Sequence, residues 1–348
     1  MTARTSVFCT TAPIGMGHGG GASSYWELEA LKATTDMKQI VQMRALNGRY
    51  QGDPFLWDYC TALSVEWRAD VAIFNGAPWN VTKKVINPDL AIVDCPAHNL
   101  QESIKEFNKL GMQYPFNHQT DPVLWPLYST YLREANVIIT QAKQSVGYLQ
   151  ELGIKEPKFE VVPGGCILPD EVKPFPSQFR VGYIGASGPD KGISYLLIAW
   201  AALMYKDAVC VLAGRGGPPK EPILKEMEGF RAKFEVLGSV DDLNPLYDSF
   251  SCYVQPSVTE GFGLTPLEAM AHGRPAIVTQ GAGVHEIIED CVYGFVVPIR
   301  NPEAIADRIR WLHDNPARME MMGKATRKKA EQYTWQRARG EYERIIQG

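Results

Sequence analysis

The sequence predicts an α/β protein with two Rossmann-like domains, each a doubly wound parallel sheet. Three observations carry this. Short apolar runs rich in β-branched residues alternate with helix-length segments from end to end. The length, 348 residues, exceeds the roughly 100–200 residues of one ordinary domain. Between two complete sets of alternations lies PGGCILPDEVKPFPSQ (163–178), whose four prolines and two glycines cannot sustain a helix or a central strand.

In chain order, the first set of strands is SVFCTT (6–11), QIVQM (39–43), DVAIF (70–74), LAIVDC (90–95), NVIIT (136–140) and FEVVP (159–163). Helix-like SYWELEALKA (24–33), ESIKEFNKLG (102–111) and KQSVGYLQELG (143–153) lie between them. The second set is RVGYIG (180–185), AVCVLAG (208–214), FEVLG (234–238), CYVQPS (252–257), PAIVT (275–279) and GFVVP (294–298). Helical sequence, including ATRKKAEQYTWQRARGEYERIIQG (325–348), closes the chain. The expected division is 1–166 for the first domain, 167–332 for the second, and 333–348 for a helix crossing back to the first.

Composition excludes several classes. With 35 Lys+Arg against 39 Asp+Glu, the formal charge of -4 argues against nucleic acid as a partner. Seven cysteines, never closer than 35 residues, contain no metal-ligand spacing and read as reduced thiols of a cytoplasmic protein. No metal site is expected. The longest apolar run, YLLIAWAALMY (195–205), is eleven residues, short of the roughly 20 that span a bilayer, and reads as a buried helix. No transmembrane segment or signal peptide is expected. The Arg327-Lys328-Lys329 run reads as a solvated helix face.

The most informative stretch is CYVQPSVTEGFGLTPLEAMAHGRPAIVT (252–279): strand, glycine-containing loop, helix from about Pro266 to His272, strand. Thr265 suits the N-cap, Pro266 the first helical position and Gly273 the residue past the end. The helix would aim its free amides at the loop Glu260–Leu264, where a diphosphate is stabilised by those donors and the helix dipole. Gly261 and Gly263 admit close approach of a ligand to the main chain. Glu260 and Glu268 bracket the turn with seven residues between them. Carboxylates repel phosphate, so their partners in a nucleotide-sugar site are hydroxyls, of the sugar for Glu260 and the ribose for Glu268. Thr265-x-x-Glu268 equally reads as a capping box.

This segment resembles the donor-binding signature of retaining glycosyltransferases of family 4 (glycosyl transferases group 1), which have the GT-B fold. The likeness extends over VGYIGASGPDKGISYLLIAWAALM (181–204), AVCVLAGRGGP (208–218), FEVLGSVDDLNPLYDSFSCYVQPS, GAGVHEIIEDCVYGFVVP and YTWQRARGEYERI, in order and spacing. The resemblance implies two Rossmann-like domains facing a cleft, with acceptor binding on the first and the nucleotide-sugar donor on the second. It implies that Glu260 holds sugar hydroxyls and Glu268 the ribose. Gly261 and Phe262 belong to the same donor loop, and the amides of Gly263, Leu264 and Thr265 serve the sugar and diphosphate. Lys191, in PDKG, would contact the pyrophosphate and stabilise the leaving diphosphate. The family usually carries an Arg about five residues earlier, where this chain has Ala186 between Gly185 and Ser187. Arg215, in GRGG, is a candidate replacement, with a surface or base-side role as its alternative.

In the first half, PIGMGHGGGASS (13–24) is a glycine-rich loop after a strand and before a helix. Gly15-x-Gly17-x-x-Gly20 formally satisfies the dinucleotide fingerprint, with Asp36 at 21 residues from Gly15 as its acid. Yet Asp36 precedes the second strand instead of closing it. The same loop resembles the family's acceptor-domain glycine segment, in which Gly19, Gly20 and Gly21 would approach the donor diphosphate. His98 lies just past the strand LAIVDC, where ligands collect in open α/β sheets, and family enzymes have a His at the matching strand end near the transferred sugar. Its alternatives are a capping neighbour of Asn99 and a core His. Five of the eight tryptophans (Trp26, Trp57, Trp67, Trp79, Trp125) lie in this half, candidates for stacking an acceptor or for core packing.

The function implied is a retaining, metal-independent hexosyltransferase. It moves a hexose from a UDP- or GDP-sugar, GDP-mannose among them, to a hydroxyl of a sugar, glycan or lipid-linked acceptor. The catalytic candidates are His98, Lys191 and Glu260; the nucleotide sugar is a cosubstrate and no resident cofactor is expected. No D-x-D occurs in the chain, in keeping with a site in which Lys191 and helix amides stand in for a metal. Competing readings are an NAD(P)-dependent oxidoreductase and a catalytically silent sugar-nucleotide binder, the latter sustained by the absent Arg. Oligomeric state is not legible.

Overall fold

In the computed structural model, the described residues are 4–10, 20–42, 70–75, 89–95, 97–112, 129–130, 132–214 and 234–348. The chain divides into two units, one of Met1–Ala97, Pro115–Gly164 and Trp335–Gly348, the other of His98–Tyr114 and Gly165–Thr334. The sequence reading places His98–Tyr114 with the first domain, whereas in the structure this segment groups with the second unit.

In the first unit, the β-branched runs form six strands: β1 (Thr5–Thr10), β2 (Asp36–Gln42), β3 (Val71–Asn75), β4 (Leu90–Asp94), β5 (Val137–Thr140) and β6 (Lys158–Val161). They pair in parallel in the order β2-β1-β3-β4-β5-β6. Helix α1 (Gly20–Thr34) follows β1. Parallel strands with helical crossovers bury both faces, and Ala91, Ile92, Val93 and Ile138 are buried. The strand order reverses between β1 and β3, the switch point at which open α/β sheets bind ligands. Asp36 pairs with Thr5 as the first residue of β2, so it stands at the amino end of its strand, opposite to where the acidic residue that binds a dinucleotide's ribose belongs. The chain's last helix, α9 (Trp335–Gln347), packs along α1 in this unit. Its Tyr342 is buried, and burial followed by the charges of Glu27 and Asp94 raises its phenol well above the usual range.

Helices α2 (Leu100–Lys109) and α3 (Lys143–Glu151) follow β4 and β5. Asn99 caps α2, its side chain accepting from the Glu102 amide at 3.3 Å.

The second unit repeats the architecture with β7 (Arg180–Ile184), β8 (Val209–Ala213), β9 (Phe234–Gly238), β10 (Cys252–Gln255), β11 (Ala276–Thr279) and β12 (Gly294–Val297). All are parallel, ordered β12-β11-β10-β7-β8-β9. The period-2 pleat divides each strand between two buried faces. Val181, Tyr183, Cys210, Leu212, Cys252 and Val254 join one core, with Leu196 and Trp200 of α4 (Ile193–Leu203) and Ile305 and Ile309 of α7 (Pro302–Asp314). Ile184, Val209, Val211 and Tyr253 join the other, with Tyr247 of α5 (Asn244–Asp248) and Ala269 of α6 (Leu264–Ala271). Helix α8 (Pro316–Ala330) packs on α6. The segment expected to be a buried helix forms α4, which buries one face through Leu196, Leu197 and Trp200, while Ile198 and, just past its end, Met204 are exposed because only one side of the helix meets the sheet. Among the described residues, no helix is long and apolar enough to cross a membrane. In this sheet the order reverses between β7 and β10, so the loops leaving these two strands share a switch point.

Candidate functional site

The loop after β7 runs through Gly185, Ala186 and Ser187 into a 3-10 turn, Pro189–Lys191. Gly192 closes that turn at φ +67°, and a Cβ there would stand 2.1 Å from the Pro256 carbonyl oxygen. Only glycine satisfies both conditions, which is why the chain can turn from Lys191 straight into α4. The loop after β10 approaches the same turn, with the Val258 amide donating to the Asp190 carbonyl at 2.8 Å. These backbone constraints bring Lys191 and Glu260 together, Nζ to Oε2 at 2.6 Å, each about a quarter exposed.

Glu260 is fixed by its own main chain. Its amide donates to the Gly281 carbonyl at 2.9 Å, and two residues on, Phe262 accepts from the Val284 amide at 2.7 Å. Within the loop, Gly261 and Phe262 are buried, while Gly263, Leu264 and Thr265 are half-buried. Helix α6 begins at Leu264, not Pro266, and ends at Ala271. Its N-cap is Gly263, at φ +94°, without a side-chain cap. The expected Thr265 cap and Thr265-x-x-Glu268 capping box are therefore out of register. The Thr265 hydroxyl is instead engaged by the Tyr253 hydroxyl (2.8 Å) and Gln255 Oε1 (3.3 Å), which ties the first turn of α6 to β10. The Leu264 and Thr265 amides stand at the positive end of the helix dipole, beside Glu260 and Lys191 in the chain's path.

Glu268 lies a full turn inside α6 and is buried; it accepts from the Tyr247 hydroxyl at 2.5 Å. Burial, then the carboxylate's charge, push the Tyr247 phenol well above its usual range, so it remains a donor. Sequence patterns do not point to Tyr247, because its partner lies 21 residues away on another element.

His98 sits between β4 and α2, half-buried. Its imidazole is held below its ordinary value, first by desolvation and then by the charge of Lys191, against the opposing pull of Glu260 and Asp190. Next to it, the Asn99 amide donates to the Thr259 hydroxyl at 2.8 Å. Thus His98, Lys191, Glu260, Glu268 and residues 261–265 all belong to the second unit. Gly20 opens α1 in the first unit. Gly19, Arg215, Trp57, Trp67, Trp79 and Trp125 lie outside the described residues.

Where the family resemblance leads one to expect an Arg, Ala186 is exposed and its carbonyl accepts from the Tyr183 hydroxyl at 2.7 Å. The adjoining recess is lined by Gly185, Ser187, Leu212, Gly214, Val236 and Gly238, at the carboxyl ends of β7, β8 and β9. Of the basic run near the chain's end, Arg327 is committed internally, its guanidinium donating to the carbonyls of Ala271 (2.7 Å) and Pro169 (3.2 Å).

Residues 178–315 match the family model for glycosyl transferases group 1. An uncharacterized glycosyltransferase of Methanocaldococcus jannaschii is 37% identical over 161 residues, 44% of this chain and 40% of the relative. The sulfoquinovosyl transferase of Arabidopsis thaliana is 32% identical over 168 residues, 47% of this chain and 32% of the relative. The matched stretch thus spans less than half the length of these curated relatives. Sucrose-phosphate synthase from Thermosynechococcus elongatus superposes with a TM-score of 0.77 at 17% identity, over 99% of this chain and 98% of that one. HepE of Anabaena, in complex with UDP-glucose, gives 0.73 at 15% identity, over 99% of each chain. The fold is GT-B, two parallel-sheet α/β domains, and the stretch that matches the group 1 model, 178–315, lies in the second unit.

Proposed function

We propose that this protein is a retaining, metal-independent glycosyltransferase of family 4 that moves a hexose from a UDP- or GDP-linked sugar to a hydroxyl of a sugar, glycan or lipid-linked acceptor. The observation that carries the reading is the convergence of Lys191, Glu260, Glu268 and the start of α6 at the switch point of the second sheet, inside the region matching the group 1 model. A diphosphate suits Lys191 and the first amides of α6, which supply positive potential without a metal. Ribose hydroxyls suit Glu268, whose carboxylate Tyr247 already holds from one side. Sugar hydroxyls suit Glu260, a carboxylate too near the diphosphate to serve phosphate itself.

In the reaction, the acceptor oxygen attacks the anomeric carbon from the face that the leaving group vacates. The bond from that carbon to the phosphate oxygen breaks as the new glycosidic bond forms. The departing phosphate takes the acceptor's proton, and Lys191 balances the charge that builds on it. His98, held toward its neutral form, suits hydrogen bonding to the transferred sugar.

UDP-linked sugars are the first donors to test, given the UDP-glucose bound by HepE. A thermal-shift panel of UDP-, GDP- and ADP-sugars should show stabilisation by one of these classes, with NADH without effect. Stabilisation by NADH alone would restore the oxidoreductase reading, against which Asp36 at the amino end of β2 already speaks. A donor that binds yet is neither transferred nor hydrolysed would favour the silent binder. Transfer should survive a chelator; loss restored by Mg²⁺ or Mn²⁺ would overturn the metal-free mechanism.

A further inference from the structure

Arg300 occupies the turn between β12 and α7 at φ +57°, a left-handed conformation that disfavours every residue with a Cβ and that glycine adopts readily. The side chain standing there makes two ion pairs on α2. Its Nε donates to Glu106 Oε1 at 2.6 Å and its Nη2 lies 2.5 Å from Glu102 Oε2. Glu106 is buried and also accepts from the Tyr195 hydroxyl of α4 at 2.9 Å and from Lys109 at 2.7 Å. Burial alone would raise the Glu106 carboxyl, but the hydrogen bonds from Lys109, Arg300 and Tyr195 hold it below its ordinary value. The carboxylate is therefore ionised, and its geometry set, across the neutral range.

The N-terminal turn of the same helix grips the donor loops. The Ser103 hydroxyl donates to Asp190 Oδ2 at 3.2 Å, and the Asn99 amide donates to the Thr259 hydroxyl at 2.8 Å. Asp190 precedes Lys191 and Thr259 precedes Glu260. A single helix thus holds the immediate neighbours of both members of the Lys191–Glu260 pair, and Arg300 fixes that helix from its other contacts.

We infer that Arg300 is a positioning residue of the donor site: by clamping Glu102 and Glu106 it holds α2 in the register that sets Lys191 and Glu260 for the nucleotide sugar. The inference rests on the proposed function and extends it to a residue that acts through α2.

The test is Arg300→Gly, Arg300→Lys and Glu106→Gln in the full chain, with donor KM, kcat, acceptor KM and thermal midpoint measured for each. Arg300→Gly relieves the backbone of its left-handed side chain, so the turn itself is not weakened. Misplacing reacting groups by a fraction of an ångström predicts a donor kcat/KM lowered on the order of tenfold or more, with acceptor KM unchanged. Arg300→Lys, which keeps the charge in the same backbone strain, should recover part of the loss. In the Arg300→Gly, Glu106→Gln double variant the losses should not add, since both remove one linkage. Wild-type donor kinetics in Arg300→Gly would overturn the inference, as would a loss that follows the thermal midpoint and is shared by the acceptor KM. Failure of the wild-type protein to bind any nucleotide sugar is the separate outcome that defeats the proposed function.

Discussion

Replacing Tyr247 by Phe removes one oxygen atom and, with it, the hydrogen bond to Glu268 at 2.5 Å. The ring's packing against Phe250, Tyr253 and His272 is unchanged. Both partners are buried, Tyr247 at 1% and Glu268 at 8% exposure, so water does not readily replace the lost donor. A buried hydrogen bond to a charged group is worth about 1.5–3 kcal/mol, which sets the size of the expected loss. At about 2–4 °C per kcal/mol for a domain of this size, the thermal midpoint should fall by ~3–12 °C. Under the proposed function, the bond sets the orientation in which the Glu268 carboxylate meets a ribose. Affinity for the nucleoside diphosphate should therefore weaken by roughly tenfold, measured by calorimetric titration at a temperature where both proteins are folded. A variant with an unchanged midpoint and unchanged affinity would refute the assignment of Tyr247 as the group that sets Glu268.

Two further outcomes follow from the geometry. Gly192→Ala places a Cβ 2.1 Å from the Pro256 carbonyl at φ +67°, and should cost more than about 2 kcal/mol in urea unfolding while displacing Lys191; wild-type stability would mean the turn is looser than described. His98 titrates below its ordinary 6.5 because burial and Lys191 outweigh Glu260 and Asp190, so below that pH the unfolded chain binds the extra proton first. The stability His98 contributes is present above pH 6.5 and is lost as pH falls toward the depressed value, and His98→Gln should flatten the thermal midpoint between pH 7 and 5. Parallel profiles for the two proteins would contradict the burial account.

Much of the fold was legible because its signals are local. Runs such as VAIFN, LAIVD and VIIT are too β-branched and too short for helices, and each forms a strand within a residue or two of its expected limits. The start of α6 differs from its expected place for an equally local reason. Thr265 has the chemistry of a cap, but its hydroxyl is taken by Tyr253 and Gln255 on β10, and the chain enters the helix through the positive φ of Gly263. What no periodicity encodes is which distant side chains meet. Tyr247 with Glu268, Thr259 with the Asn99 amide and Arg300 with Glu106 are set by the packing of separate elements. The Lys191–Glu260 pair is intermediate: each residue was marked by its motif, whereas their 2.6 Å contact depends on the strand order that places β7 beside β10.

The central claim concerns Glu260, assigned to the transferred sugar while Lys191 and α6 hold the diphosphate. The direct measurement compares Glu260→Ala with wild type in two readings on the same samples, binding of the nucleoside diphosphate and transfer from the matching nucleotide sugar. Because Glu260 pairs with Lys191, its removal takes a competing carboxylate away from that cation, and the diphosphate should bind at least as tightly as in wild type. Transfer should fall on the order of a hundredfold or more. Transfer at the wild-type rate, or loss of diphosphate binding in step with transfer, would contradict the assignment.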